Sequence, residues 1–264
     1  MSNGILKSFS WLIVFFIATA SLQAEKISAY YDAAYVDAKS VASKLKKEGF
    51  TVLNTYSPAG LNDISVITYT NGKLKSLANK KKRGFAAVQR VMVDAKNKRV
   101  RMTNPTYWLK AFMQKDFKAG SDKALTASLQ KAFGTLTGSK DALDEGDLSG
   151  YHFMMAMPYY EDMLELADGK SVDSKKKLFE VKLDNGSTLV GVQMSKTAEG
   201  FVDKIGTENA ILLPYTVLIE EGKAYALHAK YYLAISYPLL SMGEFMTISS
   251  APDTIERSLK KALK

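Results

Sequence analysis

Cysteine is absent from all 264 residues. Disulfides, thiolate metal sites, cysteine nucleophiles and acylation at a cysteine are therefore excluded. Histidine occurs only twice, as His152 and His228, and neither stands in an HxH or HExxH setting. A protein metal site needs two or three converging ligands, so none is expected. The chain also lacks a GxSxG elbow, a phosphate-binding GxxxxGK[ST] loop and a GxGxxG dinucleotide fingerprint. No cofactor is expected. The acidic residues Asp141, Asp144, Glu145 and Asp147 lack the ordered ligand spacing of an EF-hand and read as solvated loop.

Long apolar runs are scarce too. One covers residues 9–20 (FSWLIVFFIATA), after Lys7 and ahead of small residues at Ala20 and Ala24. It is too short for a comfortable transmembrane helix, which takes about 20 residues, and has the layout of a secretory signal. Residues 1–24 are expected to be an export signal cleaved near Ala24 or Ala20, with no transmembrane segment after it. The mature protein is then periplasmic or secreted.

What the chain has in abundance is charge, unevenly spread. Residues 25–140 hold 22 Lys/Arg against 8 Asp/Glu, and residues 141–264 hold 13 against 19. A basic half is joined to a mildly acidic one, a division that bears on association and not on fold.

The apolar pattern predicts an α+β protein with antiparallel sheets backed by helices. In the first half, strands are expected over 26–32, 50–56, 64–70, 86–94 and 99–103. Helices are expected after Asp37, Asn71 and Ser121, the first ending at Gly49, with Asn104-Pro105 closing the last strand. Residues 134–150, rich in Gly, Ser and Asp, read as a linker. In the second half, strands are expected over 151–157, 179–183, 188–194, 211–220 and 224–229. A tight hairpin is expected at Asn185-Gly186, short helices over 161–167 and around residues 201–205, and a final helix capped by Asp253 with Glu256 three residues on.

The two halves repeat this order. Tyr35 matches Tyr159 and Val66 matches Val190 at an offset of 124, Tyr107 matches Tyr232 at 125, and Val93 matches Ile219 at 126. Residues 25–133 and 151–264 are read as two modules joined by the linker. The stretch VITYTNGKLKSLANKKKRGFAAVQRVMVDAKNKRVRMTNPTYW, with its strand, helix, strand, hairpin and Asn-Pro turn, resembles the DUF 302 family, a domain of unknown function. The second half is a looser copy, with Ala229-Lys230 where the first has Asn-Pro. The resemblance implies a β-α-β-β-α-β-β-α module like one repeat of the TATA-box-binding protein, occurring in tandem. It implies no catalytic residues.

Two groups of candidate site residues follow. Lys80, Lys81, Lys82 and Arg83 form a basic loop. Arg90, Arg99 and Arg101 lie on the hairpin after it, and strand alternation is expected to point them away from the core, toward an anionic ligand, protein or membrane surface. Nucleic acid is not expected as the partner, because the export signal argues strongly against it. Tyr35, Tyr107, Tyr159 and Tyr232 are candidates for a groove. The leading expectation is an exported binding protein without catalysis, whose basic module contacts an anion. Changing residues 80–83 to Gln should weaken that contact without lowering the melting temperature. The alternatives are a periplasmic enzyme in which Glu161 or His228 converges on Tyr232, and a pseudo-dimer with one continuous sheet.

Overall fold

The structure, a computed structural model, describes residues 25–264, so residues 1–24, expected to be an export signal, lie outside the described residues. It is a mixed α+β protein with every strand pair antiparallel. The first half runs β1 (Lys26–Ser28), β2 (Tyr30–Ala33), α1 (Ala38–Lys47), β3 (Thr51–Tyr56), β4 (Ile64–Thr70), α2 (Gly72–Ala78), β5 (Gln89–Asp94), β6 (Arg99–Thr103), α3 (Pro105–Met113), α4 (Lys123–Phe133), β7 (Thr137–Gly138) and β8 (Ala142–Asp144). The second runs β9 (Leu164–Asp168), β10 (Lys177–Lys182), β11 (Thr188–Val192), α5 (Lys196–Glu199), α6 (Phe201–Ile205), β12 (Tyr215–Glu220), β13 (Lys223–Ala226), α7 (Ala229–Ser236), α8 (Met242–Thr247) and α9 (Ala251–Lys261).

Local chemistry sets many of these boundaries. Asp37 caps α1 by accepting from the Ser40 amide at 2.9 Å, and Gly49 ends it in the left-handed region at φ +82°. Asn71 caps α2 through the Leu74 amide. Asn104-Pro105, expected as a turn, instead starts a helix: Asn104 accepts from the Thr106 amide, and Pro105 sits at the first position, where its missing N–H costs nothing. Asp253 and Glu256 lie inside α9, and the capping box is found at Ser241 and Glu244, ahead of α8.

Four expectations change at the level of elements. Residues 161–167 do not form a helix; most of that stretch becomes strand β9, because its backbone pairs with β13 at the sheet edge. Residues 151–157 form no strand. The first part of 211–220 is a 3-10 turn (Thr207–Leu212) that ends before Pro214. Residues 134–150 are not free linker: β7 pairs with β2, and β8 pairs with β1.

The larger sheet has the order β3-β4-β5-β6-β2-β7 and the other β10-β11-β12-β13-β9. Leaving β7 aside, both run second, third, fourth, fifth, first in chain order. They do not merge: β3 and β10 lie against one another but share no ladder.

The halves meet through exchanged elements. The 3-10 turn Gly84–Ala87 of the first half lies against β11 and β12, and the turn Thr207–Leu212 of the second lies against β4 and β5. At Gly84 the approach is close enough that a Cβ would come within 2.3 Å of Leu218. Helices α3 and α7 bond to each other reciprocally. The Tyr107 hydroxyl donates to the Ile235 carbonyl at 2.6 Å, and the Tyr231 hydroxyl donates to the Ala111 carbonyl at 3.2 Å. The two tyrosines are 124 positions apart and so are the two carbonyls. Each tyrosine occupies the third position of its helix, which moves the expected match of Tyr107 from Tyr232 to Tyr231. Trp108 and Tyr232, also 124 apart, meet edge to face at 6.1 Å between ring centroids. Tyr35 follows β2 whereas Tyr159 precedes β9, so these two do not correspond.

Candidate anion-binding cleft

The basic run at residues 80–83 lies between α2 and the turn that crosses to the second half. Arg83 is almost fully buried, at 4% exposure. Its guanidinium lies over the Tyr160 ring at 5.2 Å. Nε donates to Asp116 at 3.0 Å, Nη2 lies 2.8 Å from Glu161, and the buried Nη1 has no partner among the described residues. Burial opposes the charge, but Glu161, Tyr160 and Asp116 outweigh it and hold the guanidinium above its ordinary pKa. Asp116 is held below the usual carboxylate range, mainly by its hydrogen bond to Lys80 and also by Arg83.

The rest of the run is tied to the acidic half. Lys81 pairs with Glu221 at 2.8 Å. The Lys82 amide donates to Glu220 at about 3 Å, and its carbonyl accepts from the Tyr160 hydroxyl at 2.6 Å. The Lys82 ammonium sits 5.0 Å above the Tyr225 ring. Part of the charge asymmetry of the chain is thus satisfied internally, basic half against acidic half.

These residues form one wall of a cleft of about 840 Å³. The other wall is Gln114, Lys115 and Asp116, just past α3, with Ser149, Gly150 and Glu161 at its margin. Gln114 is held in place by accepting from the Gly150 amide at 3.0 Å. Lys82 and Gln114, both lining the cleft, take positive φ, +57° and +52°. Such backbone is costly for non-glycine residues and persists where the surroundings fix it. Five cations line the cleft against two carboxylates.

The other candidates are placed differently. Arg90 and Arg101 are buried, contrary to the expected outward basic face. Arg90 donates to the Pro214 carbonyl at 3.0 Å across the junction between halves. Arg101 binds Asp32 through Nε and Nη2, at 2.9 and 3.1 Å, with Asp141 at 3.6 Å from Nη1. Arg99 also reaches Asp32. A buried guanidinium left unpaired is costly, so β6 spends its two arginines on Asp32 of its own sheet, while Arg90 reaches across the junction and keeps its Nε without a partner among the described residues. Asp141, expected in solvated loop, is half-buried beside Arg101, and burial raises its pKa.

The four tyrosines do not line one groove. Tyr107 and Tyr232 are core, the latter donating to the Leu212 carbonyl at 3.1 Å. Tyr35 packs under Lys98, and Tyr159 is exposed beside His152. Nor do Glu161, His228 and Tyr232 converge. Glu161 pairs with Arg83, and His228 is the N-cap of α7, accepting from the Lys230 amide at 3.2 Å. Among the described residues no cluster fit for a metal ion is found, and no helix is long and apolar enough to cross a membrane.

The sequence pointed to residues 80–83 but not to Gln114, Lys115, Asp116, Ser149 or Gly150. The uneven charge was the one trace that basic and acidic segments would meet. Compared with known families, curated proteins and solved structures, the chain matches none.

Proposed function

We propose that the protein is an exported binding protein without catalysis, which captures an anionic ligand in the cleft between residues 80–83 and 114–116. We further propose that it consists of two DUF 302-like modules, residues 25–133 and 151–264, of the TATA-binding-protein-like kind. The common strand order, the exchanged 3-10 turns and the reciprocal tyrosine bonds support the duplication, since self-complementary contacts are what a two-fold relation produces.

The observation that carries the binding reading is the lining of the cleft: five cations against two carboxylates around the buried guanidinium of Arg83. Converging positive charge in a recess concentrates anions there. The expected Gln substitution of all four basic residues is no longer a clean test, because Arg83 and Lys81 also tie the two halves together and their loss should lower the melting temperature. Lys82 and Lys115 make no ion pair among the described residues. Changing Lys82→Asn, which tolerates positive φ, together with Lys115→Gln should weaken binding of inorganic phosphate by roughly tenfold at low salt. The melting temperature should move by no more than about 4 °C. Calorimetric titration reads the first quantity and thermal melting the second. Undiminished phosphate binding by the double variant would overturn the proposal.

A further inference from the structure

We infer that the cleft is built for a phosphate-type dianion, and that the Glu161 carboxylate competes with it for the same edge of Arg83. The inference rests on the anion-binding reading above and names the chemistry of that site.

The guanidinium of Arg83 has three hydrogen-bonding positions. Asp116 takes Nε, and the Tyr160 ring packs against the guanidinium face, so the orientation of the group is fixed. What remains is the Nη1–Nη2 edge, on a residue that lines the cleft. Two parallel N–H bonds from a guanidinium edge match two oxygens of a phosphate or carboxylate. Glu161 engages that edge at Nη2 alone, while Nη1 is buried and unpartnered. The engagement is therefore incomplete, and an unpaired buried N–H is a costly residue of it.

The two carboxylates on Arg83 differ in how firmly they are held. Asp116 also accepts from Lys80 at 3.1 Å and is mostly covered, whereas the Glu161 side chain is 54% exposed. Glu161 is thus the partner that can swing away. A monocarboxylate taking its place would exchange one carboxylate for another with little gain. A dianion brings an additional charge into a recess that also holds Lys80, Lys82 and Lys115, and that additional charge is what favours displacement. The volume, about 840 Å³, exceeds what a phosphate group alone fills and falls in the range of small-molecule sites. The inference accordingly extends to a dianion carried on a larger molecule, as in a phosphate monoester.

The test is titration calorimetry at pH 8, where phosphate is a dianion, with inorganic phosphate, a sugar monophosphate and acetate as probes. The proteins are the wild-type chain, Glu161→Gln and Glu165→Gln. Glu165 is an exposed carboxylate on β9 that pairs with Lys223 and does not line the cleft, so it controls for loss of one negative charge at a distance. Glu161→Gln is expected to bind phosphate about tenfold more tightly than wild type, and Glu165→Gln less than threefold more tightly. Wild type should bind phosphate at least tenfold more tightly than acetate, and the sugar monophosphate more tightly than free phosphate. If wild type binds phosphate but Glu161→Gln gains no more than Glu165→Gln, Glu161 is not a competitor, and the anion-binding reading still stands. If acetate binds as well as phosphate, the dianion assignment fails. If free phosphate binds as well as the ester, the larger ligand is excluded. If neither wild type nor Glu161→Gln binds any of the three, the anion-binding reading fails with it.

Discussion

At the scale of single residues, one of the two histidines has a titratable structural role. His228 closes the first turn of α7 with its imidazole, as Asn104 does with its amide for α3. Accepting the Lys230 amide requires Nδ1 to be unprotonated. Burial, then Lys230, pushes the ring below its ordinary value of 6.5, with Glu256, Asp162 and Asp253 pulling the other way. A histidine whose folded pKa is depressed binds fewer protons folded than unfolded. Its contribution is therefore fully present above about pH 6.5 and is lost as the pH falls toward the folded value. Comparing melting temperatures of wild type and His228→Asn from pH 5 to pH 8 isolates it. The variant should gain on wild type progressively below pH 6.5. Parallel curves would show that the ring does not serve as an acceptor.

At the scale of elements, β3 and α5 are joined by one buried carboxylate. Glu199 accepts from the Tyr56 hydroxyl at 2.5 Å through one oxygen and from the Ala59 amide at 2.7 Å through the other. Burial raises its pKa, and these bonds oppose the rise. Tyr56→Phe removes a bond to a charged acceptor and should cost about 1.5–3 kcal/mol in urea unfolding at pH 7. Without that bond the Glu199 pKa climbs further, so protonation relieves part of the loss, and the cost should be smaller near pH 4. Equal costs at both pH values would mean that Glu199 does not change its protonation state between them.

Elements with complete local instructions were legible in the sequence. Strand β4 falls where its β-branched and aromatic residues put it and β6 where alternation did, and α1 and α2 start at the caps their side chains announce. What failed depended on distant partners. Strand β9 carries a mixed pattern of exposure, and only pairing with β13, more than 50 residues on, makes it a strand. The arginines of β5 and β6 looked outward by alternation, but Asp32 and Pro214 come from elsewhere in the chain to cover them. The cleft was half legible for the same reason: residues 80–83 stand out as a run, while Gln114, Lys115 and Asp116 join them only through the placement of α3.

At the scale of the whole molecule, the reciprocal bonds between α3 and α7 say how the halves are held. Each helix offers a tyrosine near its start and a carbonyl near its end, so the pair runs antiparallel and is fastened at both ends. Arg90 on Pro214 and Tyr30 on Ser236 add fastenings that owe nothing to the peptide between residues 148 and 164. Met155 in that peptide is 90% exposed, in a stretch without regular structure, the kind of site at which proteases cut. A single nick there should therefore leave both pieces in one particle. They should co-migrate in native size exclusion, separate only in denaturant, and recombine when the denaturant is removed. Fragments that part on nicking would show that the covalent crossing holds the halves together. Two pieces that stay joined and find each other again would make this chain, in effect, a heterodimer that happens to be translated as one polypeptide.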